Sequence, residues 1–301
     1  MINTIRTSTR NLPIALRRVI RHSITIASAL AMLPHAAFGQ AYHGGGQNAG
    51  GSPAGGHPPL HVNPRWRECS FQLDAALTQQ AWRQFTGEVG VVTYFRPLVD
   101  AEPMGRGRFE IAMVQGKIGI DDTDAAWNDT FVHPDSTHYL FQGEALAFPS
   151  LTARVGIADR TDAGVYFTKS PGGNYGLYGG QVQQNLARGG GWSAAARGSF
   201  VTLFGPEDLD FTVYGVDLLA SRRFTLLSGR AALAPYAMAS TTLSRSHEKS
   251  AVVALEDENV FGAEGTLGAV AEFSLARVAI EYSVARVPSM SIKIGIGAGR
   301  R

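Results

Sequence analysis

The chain has 301 residues, of which 45% are hydrophobic and 17% charged, with 35 glycines and one cysteine, Cys69. This composition excludes an intrinsically disordered chain, and one cysteine excludes a disulfide scaffold. The formal net charge is +2, but five arginines in the first 39 residues produce the excess, and the remaining residues carry a net charge of −3. The remaining chain therefore lacks the basic surface of a nucleic-acid-binding protein, and we expect no nucleic-acid partner.

Residues 1–39 have the pattern of a secretory signal peptide. Arginines precede an apolar run at 24–33, and the small residues Ala37 and Gly39 follow it. The run is too short for a membrane anchor, because a spanning helix needs about 20 apolar residues. We expect cleavage before Gln40 and export through the inner membrane.

Residues 40–66 are rich in glycine and proline and show no periodicity, which predicts a flexible linker. Three histidines, His43, His57 and His61, raise the alternative of a metal-binding tail. Metal ligands need a fixed geometry, which a linker does not provide, so we predict no metal site here.

A short amphipathic helix is predicted within the next segment, residues 67–86. Apolar residues recur every four positions, which places them on one face of a helix over 73–85. These residues are Leu73, Leu77, Ala81 and Phe85. Thr78 is an alternative N-cap for a helix that begins at Gln79.

From residue 87 onward the dominant pattern is alternation of apolar and polar residues. Val278 and Ile280 fall on one face of a strand, for example, while Arg277 and Glu281 fall on the other. The longer runs suit strands that cross a bilayer, because soluble strands average about 5–6 residues. The predicted strands are 87–96, 107–119, 149–158, 162–170, 175–186, 192–203, 211–221, 231–243, 260–273, 277–286 and 289–297.

The connections between the predicted strands fall alternately at the two ends of the sheet. The two longest, 120–148 and 244–259, fall at the same end of the sheet. Bacterial single-chain barrels have even strand numbers and turn their long loops outward. We therefore expect 10 to 12 strands, with the long connections on the external side.

The chain resembles bacterial outer-membrane β-barrel proteins over residues 87–297. The strands place aromatic residues among glycine and other small residues, as in 176–180 and 234–237. Aromatic residues also cluster near strand ends. These aromatic residues are Phe95, Phe148, Tyr175, Trp192, Phe204, Phe211, Phe224, Phe261 and Phe273. The resemblance implies an all-β fold, an antiparallel up-and-down transmembrane barrel over 87–301, preceded by a short helix and a tether. It also implies an outer-membrane location, with outer-membrane lipid and the barrel-assembly machinery as partners.

Such a barrel directs its polar face to the lumen and its apolar face to lipid. The charged residues expected in the lumen are Arg197, Glu264, Glu272, Arg277, Glu281 and Lys293. The residues expected to face lipid are Leu267, Val278, Ile280, Tyr282, Ile292 and Ile294. Glu272 and Arg277 are placed to meet across a hairpin turn.

The sequence contains no recognised catalytic, phosphate-binding or zinc motif. We predict a barrel without catalysis or cofactor, acting as a narrow channel or as a structural or surface protein. One alternative is a secreted soluble β-barrel that binds a small apolar ligand, in which the apolar face points inward.

A second alternative is an outer-membrane hydrolase with its active site at the external rim. Its candidate residues are His133, Asp135, His138, Asp208, Asp210 and His247. A calcium site at Asp121, Asp122 and Asp124 is disfavoured, because their spacing does not match that of an EF-hand loop.

Overall fold

The computed structural model describes residues 70–121, 124–132, 146–147, 149–170 and 173–297. Several predictions concern residues outside these ranges and are not addressed by the structure. They are the signal peptide, the linker with its histidines, and the candidates Asp122, His133, Asp135 and His138.

Ten long strands in the described ranges form one antiparallel sheet that closes on itself. Each strand pairs with the next along the chain, and the last pairs with the first through the register Ile294↔Met113. The strands are β1 (Phe109–Ile118), β2 (Ser150–Gly156), β3 (Thr161–Lys169), β4 (Gly176–Gly189), β5 (Trp192–Phe204), β6 (Leu209–Arg222), β7 (Ala231–Glu248), β8 (Glu258–Phe273), β9 (Ala276–Val284) and β10 (Ser289–Gly297). The up-and-down barrel is thereby confirmed, with ten strands.

The remaining elements are short, apart from one helix. Helix α1 spans Gln79–Thr93 and helix α2 spans Ala125–Asn128. Short strands span Ser70–Phe71, Phe131–Val132, Leu146–Ala147 and Phe224–Leu226, and a 3-10 turn spans Leu227–Gly229. Among the residues that the structure describes, no helix has the length and hydrophobicity needed to cross a membrane.

The predicted strand over 87–96 is wrong, because its first residues belong to α1. The sequence there is rich in valine and glycine, which resembles a strand locally. The segment is nevertheless helical because the barrel encloses it, and every residue from Glu88 to Thr93 is buried. Helix α1 begins after Thr78, whose hydroxyl accepts a hydrogen bond from the Ala81 amide at 3.2 Å. The alternative start at Gln79 is therefore confirmed, while the range 73–85 began too early and ended too soon.

The barrel has its apolar side chains outside and its polar ones inside. Ile292 and Ile294 of β10 are 40% and 61% exposed, whereas Lys293, which lies between them in the strand, is 2% exposed. The same alternation runs around the barrel, so a broad apolar surface faces outward. This is the surface expected of a barrel in a bilayer. It does not fit the soluble alternative, which requires the apolar residues to point inward.

The two ends of the barrel differ in the length of their connections. One end carries the segments 119–149, 170–175, 205–208, 249–257 and 285–288, and we call it the loop end. The other end carries 157–160, 190–191, 223–230 and 274–275, and we call it the turn end. The predicted grouping of long and short connections therefore matches the structure.

Helix α1 lies inside the barrel, against the inner faces of β6, β7 and β8. Gly90 allows a close approach, because a Cβ atom at this position would collide with the Ser244 hydroxyl of β7. The Thr86 and Ser246 hydroxyls hydrogen-bond at 2.5 Å between the helix and the same strand. The helix is thus packed directly onto the barrel wall.

An aromatic cluster covers the helix at the loop end. Phe85 of α1 contacts Trp127 of α2 with ring centroids 5.2 Å apart, and Phe71 contacts Phe131 at 4.8 Å. The strands Ser70–Phe71 and Phe131–Val132 pair in the same region. Trp127 and Phe131 are almost fully buried. This cluster covers one side of the helix at the loop end, while Arg83 on another side of the helix is exposed.

We expect Ile292→Arg to lower the free energy of unfolding by about 2–4 kcal/mol, because it places a charge on the lipid-facing surface. The measurement is a urea titration of the protein in lipid vesicles, followed by circular dichroism. Val252→Arg is the control, since Val252 is an exposed apolar residue in the 249–257 loop. An equal and small effect of both substitutions would contradict a lipid-facing exterior.

Candidate functional site: the occupied lumen

The chain crosses the whole barrel before it enters β1. At the loop end, the Phe71 amide donates to Asn174 Oδ1 at 2.9 Å. At the turn end, the Gly107 amide donates to the Gly156 carbonyl at 2.8 Å. We call residues 79–104, which comprise α1 and the extended residues 94–104, the plug.

The extended part of the plug has no neighbouring strand, so side chains of the barrel wall satisfy its backbone. The Leu98 amide donates to Glu281 at 3.2 Å. The Ala101 amide donates to Ser221 at 3.1 Å, and the Met104 amide donates to Asp162 at 3.1 Å. The carbonyls of Asp100 and Ala101 accept from Gln183 (3.1 Å) and Asn185 (3.0 Å). A buried backbone group without a partner costs about 1–3 kcal/mol, so these polar residues have a structural purpose. Together these side chains bind the backbone of the extended residues 94–104, as the side chains of a peptide-binding groove bind a peptide.

Arg197 is the centre of the most buried charged cluster. Its guanidinium donates to Asp217 at 2.5 Å, to Gln181 at 2.6 Å and to the Tyr94 hydroxyl at 2.6 Å. The Tyr94 hydroxyl donates in turn to Asp217. Arg197 is 1% exposed and also lies 5.7 Å from the Phe95 ring centroid. The cluster thus joins β4, β5 and β6 to the plug residues that directly follow α1.

A second charged contact joins the plug to β8. Arg96 of the plug pairs with Glu264 of β8 at 3.2 Å. A second guanidinium nitrogen of Arg96 donates to the Val91 carbonyl at 2.8 Å. Nearby, Glu281 accepts from the Tyr236 hydroxyl at 2.7 Å. The plug therefore contributes one cation to a part of the wall that is acidic.

A third network links wall residues near the turn end. Glu110 accepts from Lys293 at 2.5 Å and from Arg277 at 2.9 Å. Arg277 also pairs with Glu272 at 3.2 Å, across the hairpin as expected from the sequence. Glu272 is in addition paired with Arg223 at 2.6 Å.

All six charged residues predicted for the lumen lie inside the barrel and are buried. They are Arg197, Glu264, Glu272, Arg277, Glu281 and Lys293, and each has a hydrogen-bond or ion-pair partner. The residues predicted to face lipid lie on the outer face. They are Leu267, Val278, Ile280, Tyr282, Ile292 and Ile294.

Sequence reasoning missed the plug side of these contacts. Tyr94 and Arg96 fell within the wrongly predicted strand 87–96, so they had no assigned partner. Asp162 and Asp217 occupy inward positions of predicted strands, and the alternation of their neighbours could have identified them.

Two cavities that lie between the plug and the wall, among the described residues, are both small. One of about 10 Å³ is lined by residues that include Arg96, Arg154 and Lys293. The other, of about 20 Å³, is lined by residues that include Tyr94 and Tyr166. Cavities of this size hold on the order of one water molecule each. Neither is large enough for a solute beyond the size of water.

The rim residues of the hydrolase alternative have other partners. Asp208 accepts from the Leu73 amide at 3.3 Å, and Asp210 pairs with Lys249 at 2.8 Å. His247 pairs with Asp257 at 2.6 Å, in an exposed position. Asp208 and Asp210 therefore make structural contacts at the loop end.

The acidic group at the start of α2 also has a local role. Asp124 accepts from the Ala126 amide at 3.0 Å and from Gln84 at 3.1 Å, so it caps α2 and joins it to α1. Among the described residues, no group of three histidine, cysteine, aspartate or glutamate side chains is arranged to hold a metal ion.

No protein-family model matches the chain, and no curated protein matches it. Solved structures similar to it include the beta domain of the Bordetella autotransporter BrkA, at 10% identity and a TM-score of 0.40, covering 64% of this chain and 99% of that one. Neisserial surface protein A has 11% identity and a TM-score of 0.30, covering 64% and 95%. The KdgM porin has 5% identity and a TM-score of 0.28, covering 62% and 98%. The closed barrel with its apolar exterior confirms the resemblance to outer-membrane β-barrels, and no particular member is identified.

We expect Asp217→Ala to lower the free energy of unfolding by about 3–5 kcal/mol, because it leaves Arg197 buried without its carboxylate. The matched control is Asp257→Ala, which removes an exposed partner of His247 and should cost no more than about 1 kcal/mol. Urea titrations in detergent micelles measure both values. Similar values for the two variants would contradict the structural role of the Arg197 cluster.

Proposed function

We propose that this protein is a non-catalytic outer-membrane barrel that serves as a surface anchor with a closed lumen. The observation that carries the proposal is the plug, which runs from the loop end to the turn end inside the barrel. Outer-membrane lipid surrounds the apolar exterior in this proposal, and the barrel-assembly machinery inserts the chain.

The closed lumen favours a structural or surface role over a narrow channel. Opening a path would require the plug to leave wall contacts such as Arg96–Glu264 and Leu98–Glu281. Each contact is buried, so its separated groups would need new partners. The cost of removing the whole plug is the sum of many such separations, and this opposes spontaneous opening.

The direction of the plug supports the anchoring role. Ser70 lies at the loop end, whereas β1 begins at the turn end with Phe109. Long loops of bacterial barrels face the exterior of the cell. In this proposal Ser70 is on the external side, and the barrel would hold the chain that precedes Ser70 at the cell surface.

The proposal predicts where residues of the linker are accessible. In a Cys69→Ser background, we expect a single cysteine introduced by Ser52→Cys to react with a membrane-impermeant maleimide on intact cells. The reason is that position 52 precedes Ser70 and would lie on the external side. Mass-tagged maleimide and gel electrophoresis quantify the labelled fraction.

Two further single-cysteine variants serve as controls for the labelling. Val252→Cys, in the 249–257 loop, should be labelled on intact cells. Ser228→Cys, at the turn end, should be labelled only after the outer membrane is permeabilised. Protection of position 52 together with labelling of position 252 would refute surface anchoring.

The proposal also predicts the electrical behaviour of the folded protein. The full chain, reconstituted in a planar bilayer, should produce no sustained single-channel conductance, because the plug fills the lumen. An open porin inserted under the same conditions is the positive control. Regular, long-lived conductance steps from the purified chain would favour the channel function instead.

A further inference from the structure

The outer surface of the turn end carries an arginine between two aromatic rings. The Arg222 guanidinium carbon lies 5.3 Å from the Trp192 ring centroid and 4.9 Å from the Phe224 ring centroid. Trp192 and Arg222 are register partners in β5 and β6, and Phe224 follows on the continuation of β6. Three neighbouring positions thus build one cationic site.

This site faces outward, away from the lumen. Ser193 and Ser221 are the buried, inward-facing neighbours of Trp192 and Arg222. No hydrogen bond or ion pair of the Arg222 side chain is found among the described residues, whereas the adjacent Arg223 pairs with Glu272 at 2.6 Å. The rings orient the guanidinium through cation–π contacts, and its N–H donors have no acceptor in the part of the chain that the structure describes.

Exposed apolar side chains surround the site at the same level of the barrel. Leu226 is 45% exposed and Leu227 is 68% exposed, on the connection that follows Phe224. Phe273 and Leu275, from the neighbouring β8–β9 turn, are each 60% exposed. Such residues suit contact with acyl chains and would be unfavourable in water.

The depth of the site matches a lipid headgroup region. A second aromatic group, including Phe167, Tyr178 and Phe204, lies towards the loop end of β3–β5. Strand β5 runs from Trp192 to Phe204 over 13 residues, about 40 Å along the strand and about 30 Å across a membrane at the usual tilt. The Trp192 level therefore falls at one boundary of the hydrocarbon layer, where aromatic girdles lie.

We propose that Arg222, held between Trp192 and Phe224, binds an anionic phospholipid of the leaflet at the turn end. The guanidinium donates to the lipid phosphate, since arginine matches phosphate oxygens with two parallel N–H groups. The acyl chains lie along the apolar residues beside the site. Arg230, exposed at the same end, adds positive charge, which favours a lipid of net negative charge over a zwitterionic one.

Brominated lipids test this preference, because Trp192 reports on the lipids that contact it. The full chain is reconstituted in equimolar phosphatidylglycerol and phosphatidylcholine, with either one brominated, and a Trp192→Phe variant supplies the signal of the other tryptophans. We expect phosphatidylglycerol to be enriched at Trp192 about fivefold over phosphatidylcholine, the preference that the attraction of one arginine to an anionic lipid surface gives. Arg222→Gln should abolish the enrichment, and Arg222→Lys should retain part of it.

Arg160→Gln is the matched control, because it removes an exposed charge at the same end without touching the aromatic pair. Equal quenching by the two lipids in the wild-type protein would overturn the proposal. So would an equal loss of enrichment in Arg160→Gln and Arg222→Gln, which would indicate general attraction to a charged surface. The inference depends on the membrane location but not on the closed lumen or the surface anchoring, so its failure is distinguishable from theirs.

Discussion

The structure depends on the need to pair every backbone polar group inside an enclosed space. The strands meet this requirement through closure of the sheet, and α1 meets it through its own hydrogen bonds. The extended residues 94–104 can do neither. Side chains of the wall therefore supply the missing donors and acceptors, as Glu281 does for Leu98 and Asn185 does for Ala101. Part of the polarity of the lumen is thus explained by the backbone of the chain that it contains.

The interior of the barrel around the plug divides into two parts with different chemistry. Near the loop end, α1 and the aromatic cluster around Trp127 form a small hydrophobic core, of the kind found in soluble proteins. Towards the turn end, charged groups dominate, with Arg197, Glu110 and their partners almost fully buried. A buried ion pair is weak support for stability in itself but imposes a strict geometry. The apolar part therefore supplies cohesion, while the charged part fixes the position of the plug relative to the strands.

The barrel could be predicted from the sequence because period-two alternation is a local property. Ten of the eleven predicted strands correspond to observed ones, and the long connections were assigned to the correct end. The plug could not be predicted in this way, since its helix lies in a lumen that exists only after the sheet has closed. Val89 and Val91 suggest a strand when read alone, and the surrounding barrel overrides that preference. The lumen charges were identified as inward, but Tyr94 and Arg96 were assigned to the wall instead of the plug.

The pairing of β10 with β1 has a consequence for assembly. Strand β1 directly follows the plug in the chain, and its Glu110 lies inside the barrel in contact with Lys293 of β10. The ring of strands is complete only when this last junction forms. The contact between Glu110 and Lys293 therefore ties the position of the plug to the closure of the ring, because the strand that carries Glu110 continues the chain of the plug.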